Sequence, residues 1–186
     1  MVYLREIRWH GRGGQGAWTA SELLARAALR EGKYIQSFPE FGPERMGAPV
    51  NAFTRISDEP INLHCSIYTP DVVAVLDPTL LRTVPVTEGL KKDGVLVINT
   101  RETPAQLAKQ LNFSRQGLWA VSATDMAVKI LGRPITNTAM LGAVARAAEI
   151  TDLKSIKEAV KGRFPLKIAE RNIEIVERAY KEVKSG

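Results

Sequence analysis

The sequence of 186 residues contains a single cysteine, Cys65. One thiol cannot form a disulfide within the chain, cannot make a CxxC redox pair and cannot hold an iron–sulfur cluster, which needs several cysteine ligands. Chemistry that depends on paired thiols is therefore excluded for this chain by itself.

Histidine is almost as scarce, and the common catalytic motifs are absent. His10 and His64 are the two histidines, and they do not stand in the HxH or HxxxH spacing that metal ligands adopt, so both are expected to be structural. The chain has no GxSxG elbow, no Walker lysine, no HExxH and no Ser/His/Asp set. We therefore expect it to bind a ligand or to complete the active site of another protein.

Long apolar runs and blocks of one charge are also missing. No run approaches 18 apolar residues, and Arg5, Glu6 and Arg8 stand near the N-terminus instead of an apolar signal segment, so a cytoplasmic protein without a membrane partner is expected. The net charge is +6 and the pI is near 9.6, but basic and acidic residues alternate, and no basic stripe predicts nucleic-acid binding. The charge indicates a mildly basic surface that would suit an acidic partner.

A glycine-rich turn near the N-terminus is the strongest feature that the sequence does contain. Alternation over Tyr3–Trp9 predicts a strand, and apolar residues at helical spacing from 17 to 32 predict a helix. Glycines allow a tight turn with uncovered amide groups, and a helix N-terminus attracts anions. The turn is therefore predicted to bind a phosphate or carboxylate. Its residues are Gly11, Arg12, Gly13, Gly14, Gln15 and Gly16.

Other interpretations of this turn stay open. Gly11, Gly13 and Gly16 fit the GxGxxG dinucleotide fingerprint, but the strand predicted at 33–38 ends without the acidic residue that should follow about 20 residues on to hold the ribose. A purely structural turn and a turn that contacts a partner chain are the further alternatives.

A long loop is predicted at residues 38–49. It contains three prolines and two glycines, which exclude the interior of a regular strand or helix. A loop of this length is often functional, and we expect it beside the glycine turn, where Arg45 would offer its guanidinium to a carboxylate or phosphate. In the alternative, Phe38 and Phe41 pack on the core and Arg45 pairs with a neighbouring glutamate.

The remaining segments alternate between strands and helices. Val50–Ser57 is a predicted strand with Ile61–Cys65 as its hairpin partner, and the apolar runs within Asp71–Asp77 and Gly94–Asn99 are typical of buried parallel strands. The pattern from residue 139 onward is helical. The fold class is therefore predicted as α/β: a Rossmann-like, mostly parallel sheet with flanking helices, an antiparallel hairpin excursion and a helical C-terminus.

Three motifs carry a family resemblance. They are the glycine turn His10–Gly16, the loop segment Phe41–Val50 and the segment Asn137–Ala143. In this order they closely resemble the gamma subunit of pyruvate and ketoisovalerate ferredoxin oxidoreductases. The resemblance covers essentially the whole chain, so residues 1–186 are expected to form a single gamma-type domain.

The resemblance implies one subunit of an enzyme that converts a 2-oxoacid and coenzyme A (CoA) to acyl-CoA and CO₂ and reduces ferredoxin. It implies alpha, beta and delta partner subunits, which hold thiamine diphosphate, Mg and 4Fe-4S clusters, and no catalytic residue or metal in this chain. A free-standing NAD(P)-binding domain and a purely structural assembly subunit are the alternatives. The residues expected to help bind CoA as a shared ligand are Gly11, Arg12, Gly13, Gly14, Gln15, Gly16 and Arg45.

Overall fold

The computed structural model describes residues 3–40, 46–113 and 116–186. In chain order the elements are β1 Leu4–Arg12, α1 Ala17–Arg30, β2 Tyr34–Pro39, β3 Pro49–Ser57, β4 Val72–Val75, a 3₁₀ helix Pro78–Arg82, β5 Val95–Asn99, α2 Pro104–Leu111, β6 Leu118–Val121, α3 Ala123–Leu131, α4 Asn137–Ala148, α5 Leu153–Arg163, α6 Leu166–Glu182 and β7 Lys184–Ser185. The strands form one sheet in the order β2-β3-β1-β4-β5-β6-β7.

Five of these seven strands run in the same direction. β1, β4, β5 and β6 pair in parallel, and β2 points the same way because β3 is antiparallel both to β2 and to β1. The short β7 is antiparallel to β6. Without β3 and β7 the strand order is that of a doubly wound sheet of the flavodoxin type. The predicted α/β fold with a mostly parallel sheet is confirmed.

The antiparallel strand β3 has different neighbours from those that the sequence predicted. It pairs with β1 over nine residue pairs and with β2 over six, so both of its edges are occupied. Ile61–Cys65 has no regular secondary structure, and its prediction as a hairpin partner is wrong. Alternating side chains predict that β3 is a strand, but they do not say which strands it pairs with.

Helices cover the first face of the sheet and form the larger core. Strand residues such as Trp9, Val72 and Val97 point toward this face and pack against α1, α4 and α6. α4 consists largely of small buried residues and runs close beside α6. A Cβ atom on Gly142 would collide with the carbonyl oxygen of Val176. The small residues of α4 thus allow two helices of the same chain to pack closely.

The second face has an apolar half and a polar half. Under β4, β5 and β6, residues such as Val73, Val75 and Ile98 pack against α2 and the 3₁₀ helix. The successive residues of β4 alternate between the two cores, as the pleat of a strand requires. The polar half lies under β1 and β3, where coil residues 58–71 and the turns at 83–94 meet the sheet.

Two buried arginines hold these coils against the polar half. Arg55 is only 1% exposed; its Nε lies 2.8 Å from Oε1 of Glu6, and its Nη2 donates to the carbonyl oxygen of Cys65 at 2.8 Å. Arg8 donates to the carbonyl oxygen of Glu88 at 2.5 Å. A guanidinium has several donors in a fixed fork, so these side chains supply hydrogen bonds that a strand or helix would otherwise provide.

The C-terminal part of the chain is helical, as predicted. α6 buries Ile175, Val176 and Ala179 against the first core and presents charged residues elsewhere. It is 17 residues long. Within the part of the chain that the structure describes, no helix combines the length and apolar character needed to cross a membrane.

Candidate functional site

The glycine turn joins the end of β1 to the start of α1. Gly14 has a φ of 94° and Gly16 a φ of 79°, a left-handed backbone that glycine adopts without strain. Gly16 directly precedes the first residue of α1. Gly11 is instead buried in β1, where a Cβ would lie 3.2 Å from the Cβ of Ala17. Gly11 therefore allows α1 to pack closely on β1 rather than exposing an amide.

A pair of backbone hydrogen bonds ties the turn to the end of the predicted loop. The N–H of Gly13 donates to the carbonyl oxygen of Ala48 at 2.9 Å, and the N–H of Gly47 donates to that of Gly13 at 3.2 Å. This end of the loop lies beside the glycine turn, as expected. Arg45 and Phe41 lie outside the described residues, so the predicted role of Arg45 stays a prediction.

The guanidinium of Arg12 is held by groups of its own chain. Its Nε lies 3.2 Å from Oδ2 of Asp77, its Nη2 donates to Oγ1 of Thr79 at 2.7 Å, and its Nη1 donates to the carbonyl oxygen of Gly47 at 3.0 Å. Gln15 Nε2 donates to the same Oδ2 of Asp77 at 2.7 Å. Arg12 and Asp77 thus pair at the carboxyl ends of β1 and β4, the part of doubly wound sheets where ligands usually bind.

Asp77 is the centre of this network. Burial alone would raise the pKa of its carboxyl, but hydrogen bonds from Thr79 and Gln15 and the charge of Arg12 outweigh burial and hold the pKa below its usual range. The carboxylate is therefore ionised at neutral pH and compensates the charge of Arg12. It also caps the 3₁₀ helix by accepting the N–H of Thr79 at 2.9 Å.

An open cleft of about 580 Å³ lies on the other side of the turn. Its walls are the turn, the first residues of α1, and the ends of β2 and β3, which contribute Pro39, Val50 and Asn51. Trp18 is 55% exposed and Met46 is 96% exposed in this region. The volume falls within the range of small-molecule sites, and much of the wall is apolar.

The start of α1 offers amide groups to this cleft. Gly16 has no side chain that could accept a hydrogen bond from the first turn, and no acidic residue occupies that turn. The first N–H groups of a helix lack an intrahelical acceptor, and the helix dipole adds partial positive charge there. Together with Trp18 and Met46, these amides suit a molecule that has an anionic group and an apolar or aromatic part.

A buried cluster around His10 lies on the polar face of β1, below the cleft. His10 Nε2 accepts a hydrogen bond from Arg8 Nε at 3.0 Å. Burial and the charge of Arg8 lower the pKa of His10 to about 4, against the opposing effect of a hydrogen bond with Asn51. Asn51 donates in turn to Oε2 of Glu40 at 2.5 Å. His10 is thus a neutral structural histidine, as expected, whereas His64 is exposed on the coil.

The structure separates the predicted site residues into two groups. Those in the cleft wall are Arg12, Gly13, Gly14 and Gly16. Gln15 is turned toward Asp77, and Gly11 is buried. Sequence reasoning missed Trp18, although a large aromatic residue outside the apolar stripe of α1 was a usable signal. It also missed Asn51, whose place in the cleft depends on the unpredicted pairing of β3.

A family model describes most of this chain. The model of pyruvate ferredoxin/flavodoxin oxidoreductases matches residues 6–182, which include the glycine turn and the cleft. The chain belongs to this family.

Relatives of known function match it along nearly their whole length. The pyruvate/ketoisovalerate oxidoreductases common subunit gamma of Thermococcus kodakarensis is 53% identical over 175 residues, which are 94% of this chain and 95% of the relative. The crystal structure of pyruvate oxidoreductase subunit PORC from Thermotoga maritima is 45% identical, has a TM-score of 0.86 and is matched over 97% of both chains. These similarities confirm the resemblance to gamma subunits and the assignment to a multi-subunit oxidoreductase.

A larger enzyme contains the same fold. It is the 2-oxoglutarate:ferredoxin oxidoreductase of Magnetococcus marinus, solved with 2-oxoglutarate, coenzyme A and succinyl-CoA bound. The match has a TM-score of 0.75 and covers 98% of this chain but 32% of that one. At 20% identity the likeness shows the fold alone.

Proposed function

We propose that residues 1–186 act as a single gamma-type domain in a pyruvate synthase type of 2-oxoacid:ferredoxin oxidoreductase, and that the cleft beside the glycine turn helps to bind CoA. The complex converts a 2-oxoacid and CoA to acyl-CoA and CO₂ and passes the electrons to ferredoxin. It works in the cytoplasm, and its other subunits are of the alpha, beta and delta types.

The chemical steps belong to those partners. Thiamine diphosphate and Mg are assigned to the alpha and beta subunits, and the 4Fe-4S clusters to beta and delta. Among the described residues, no three His, Cys, Asp or Glu side chains lie together in a way that would hold a metal ion. Cys65 alone cannot ligate a cluster. In this proposal the chain takes no part in electron transfer. It completes the complex and helps to bind CoA.

The observation that carries the CoA assignment is the composition of the cleft. CoA combines phosphate groups, an adenine ring and a flexible arm that carries both amide and apolar groups. The uncovered amides at the start of α1 fit a phosphate, and the exposed indole of Trp18 fits an aromatic or apolar part of the ligand. Because Asp77 is already paired with Arg12 and Gln15, its negative charge is compensated beside the site.

The test replaces Gly14 with valine in the assembled complex. Gly14 lines the cleft, and among the described residues no atom lies within 4 Å of a Cβ built there, so the new side chain would add bulk beside the cleft. We expect the KM for CoA to rise about tenfold or more, with kcat at saturating CoA and the KM for the 2-oxoacid nearly unchanged. Gly13→Val should act in the same direction.

Gly32→Val is the matched control. Gly32 has a φ of 78°, close to the 94° of Gly14, and a Cβ built on it also has no described residue within 4 Å, but it follows α1 at the far end of that helix. It imposes a similar backbone strain away from the cleft. A complex that assembles normally with Gly14→Val and keeps its KM for CoA, or an equal rise with Gly32→Val, contradicts the CoA assignment and favours a purely structural subunit.

The partners are tested by purifying the tagged chain from its native extract under anaerobic conditions. The eluate is assayed for dye reduction that requires both a 2-oxoacid and CoA. Co-purification of this activity with thiamine- and cluster-containing subunits supports the proposal. A chain that elutes alone, while the activity stays in other fractions, contradicts it.

A further inference from the structure

The side chain of Asn137, at the start of α4, lies against the backbone of Gly16. A Cβ built on Gly16 would be 2.6 Å from Nδ2 of Asn137 and 3.2 Å from its Cγ. Asn137 is 6% exposed. Its amide therefore occupies the space that a side chain at position 16 would need, and it contacts the residue from which α1 starts.

The orientation of this amide is fixed. Oδ1 of Asn137 accepts the backbone N–H of Thr138 at 2.8 Å, so the Nδ2 end is the one that faces Gly16. Side-chain oxygens near a helix start often satisfy an N–H group that has no intrahelical acceptor. Oδ1 of Asn137 thus accepts a hydrogen bond at the start of α4, and its Nδ2 contacts Gly16 of the glycine turn.

The start of α4 is itself anchored to α6. Oγ1 of Thr138 donates to Oδ1 of Asn172 at 2.8 Å, and Nδ2 of Asn172 donates to the carbonyl oxygen of Ile168 at 2.8 Å. Thr138 is fully buried and Asn172 is 4% exposed. Buried hydrogen bonds of this kind are costly to break because the groups would be left without partners. The position of Asn137 against Gly16 is therefore determined by two helices.

We propose that Asn137 is a positioning residue for the CoA site. It holds Gly16 in its left-handed conformation and so directs the first amides of α1 into the cleft, without contacting CoA itself. This inference rests on the proposed CoA function of the cleft. It gives the Asn137–Ala143 motif a role that packing of α4 alone does not explain.

The test compares Asn137→Ala with Thr136→Val in the purified complex. The alanine removes the amide that contacts Gly16, whereas the valine replaces a buried hydroxyl at the same helix start that has no hydrogen-bond partner among the described residues. We expect the KM for CoA to rise about five- to tenfold in Asn137→Ala, with kcat at saturating CoA within about twofold of the original enzyme, and to stay unchanged in Thr136→Val. Asn137→Ser, which keeps a polar residue at the helix start, replaces the alanine variant if that variant does not assemble.

Hydrogen exchange measured by mass spectrometry on the complex without CoA gives a second readout. A peptide spanning residues 13–20 should exchange faster in Asn137→Ala than in the original chain or in Thr136→Val. Unchanged exchange together with an unchanged KM overturns the positioning role. Faster exchange with an unchanged KM, in a complex where Gly14→Val also leaves the KM unchanged, overturns the CoA site itself and this role with it. If Gly14→Val raises the KM and Asn137→Ala does not, the CoA site stands and the positioning role is overturned.

Discussion

Gly142 of α4 and Val176 of α6 are in backbone contact, because a Cβ on Gly142 would fall on the carbonyl oxygen of Val176. Backbone atoms cannot move aside as a flexible side chain can. We expect Gly142→Ala to lower the free energy of unfolding by about 1–3 kcal/mol, the usual range for an overpacked core. Urea unfolding of the purified chain measures the change.

Gly162→Ala is the control for this prediction. Gly162 is in α5, and none of the residues that the structure describes comes within 4 Å of a Cβ built on it. Alanine there should raise the free energy of unfolding by about 0.5–1 kcal/mol, because it restricts the unfolded chain and favours helix. A destabilisation of similar size at both positions would show that the contact with Val176 is not the cause.

The stability of the chain should depend on pH through His10. Its pKa is about 4 in the folded chain, where burial and Arg8 disfavour the charged ring, against an ordinary value of 6.5. Between these two values the unfolded chain binds the proton and the folded chain does not, so stability falls as the pH drops through this window. The loss is at most about 3 kcal/mol and is complete once the pH is below the folded pKa.

His10→Gln isolates this contribution because glutamine does not titrate. The free energy of unfolding is compared at neutral pH and near pH 4.5 for both chains. The original chain should lose more stability than the variant over this interval. Parallel losses in the two chains would mean that His10 is accessible to protons in the fold.

Asp77→Asn should weaken the network that joins β1 to β4. The carboxylate binds Thr79, Gln15 and Arg12, and its side chain is 14% exposed. We expect the free energy of unfolding at neutral pH to fall by about 1.5–3 kcal/mol, as for other lost hydrogen bonds to a charged group. Because these partners lower the pKa of Asp77, its contribution is present above the ordinary pKa and is lost as the pH falls through the folded one.

The difference between the two chains should therefore vanish in acid, which urea titrations at neutral and strongly acidic pH would measure. Asp125→Asn is the comparison. Asp125 pairs with Arg101 at the surface, where solvent screens the interaction. It should change stability far less than Asp77→Asn, and an equal effect would count against a special role for the Asp77 network.

Thr136→Val should stabilise the chain. Among the described residues, Thr136 Oγ1 is a buried side-chain atom without a hydrogen-bond partner. Replacing an unsatisfied hydroxyl with a methyl group of similar size should raise the free energy of unfolding by about 1 kcal/mol. Thr138→Val, which breaks the bond to Asn172, should instead lower it by a similar amount. Thermal unfolding of both variants checks the opposite signs.

The sequence predicted those parts of the fold that local pattern determines. Continuous apolar runs mark β4 and β5 because both faces of those strands are buried, and glycines mark the turn because other residues resist the left-handed backbone angles at Gly14 and Gly16. The insertion of β3 between β1 and β2 was not predictable in this way, since pairing is decided by contacts between distant segments.

The same limit applies to the candidate site. The turn was found from its own residues, but Asn51 reaches the cleft through the pairing of β3, and Asn137 reaches Gly16 through the packing of α4. Neither position carries a periodic or compositional signal. The charge of Arg12 suggested a free anion-binding group, and only the structure reveals that Asp77 already compensates it.

The arginines on the polar half of the sheet affect how readily proteases can cleave this chain. A protease must draw several residues of a coil into its own active site in extended form. A stretch of coil that includes Cys65 cannot enter one without first breaking its hydrogen bond from Arg55, nor can a stretch that includes Glu88 without releasing Arg8. These two stretches are therefore expected to resist cleavage although they lack helix and strand. A cut beside Cys65 would indicate that this hydrogen bond of Arg55 had broken.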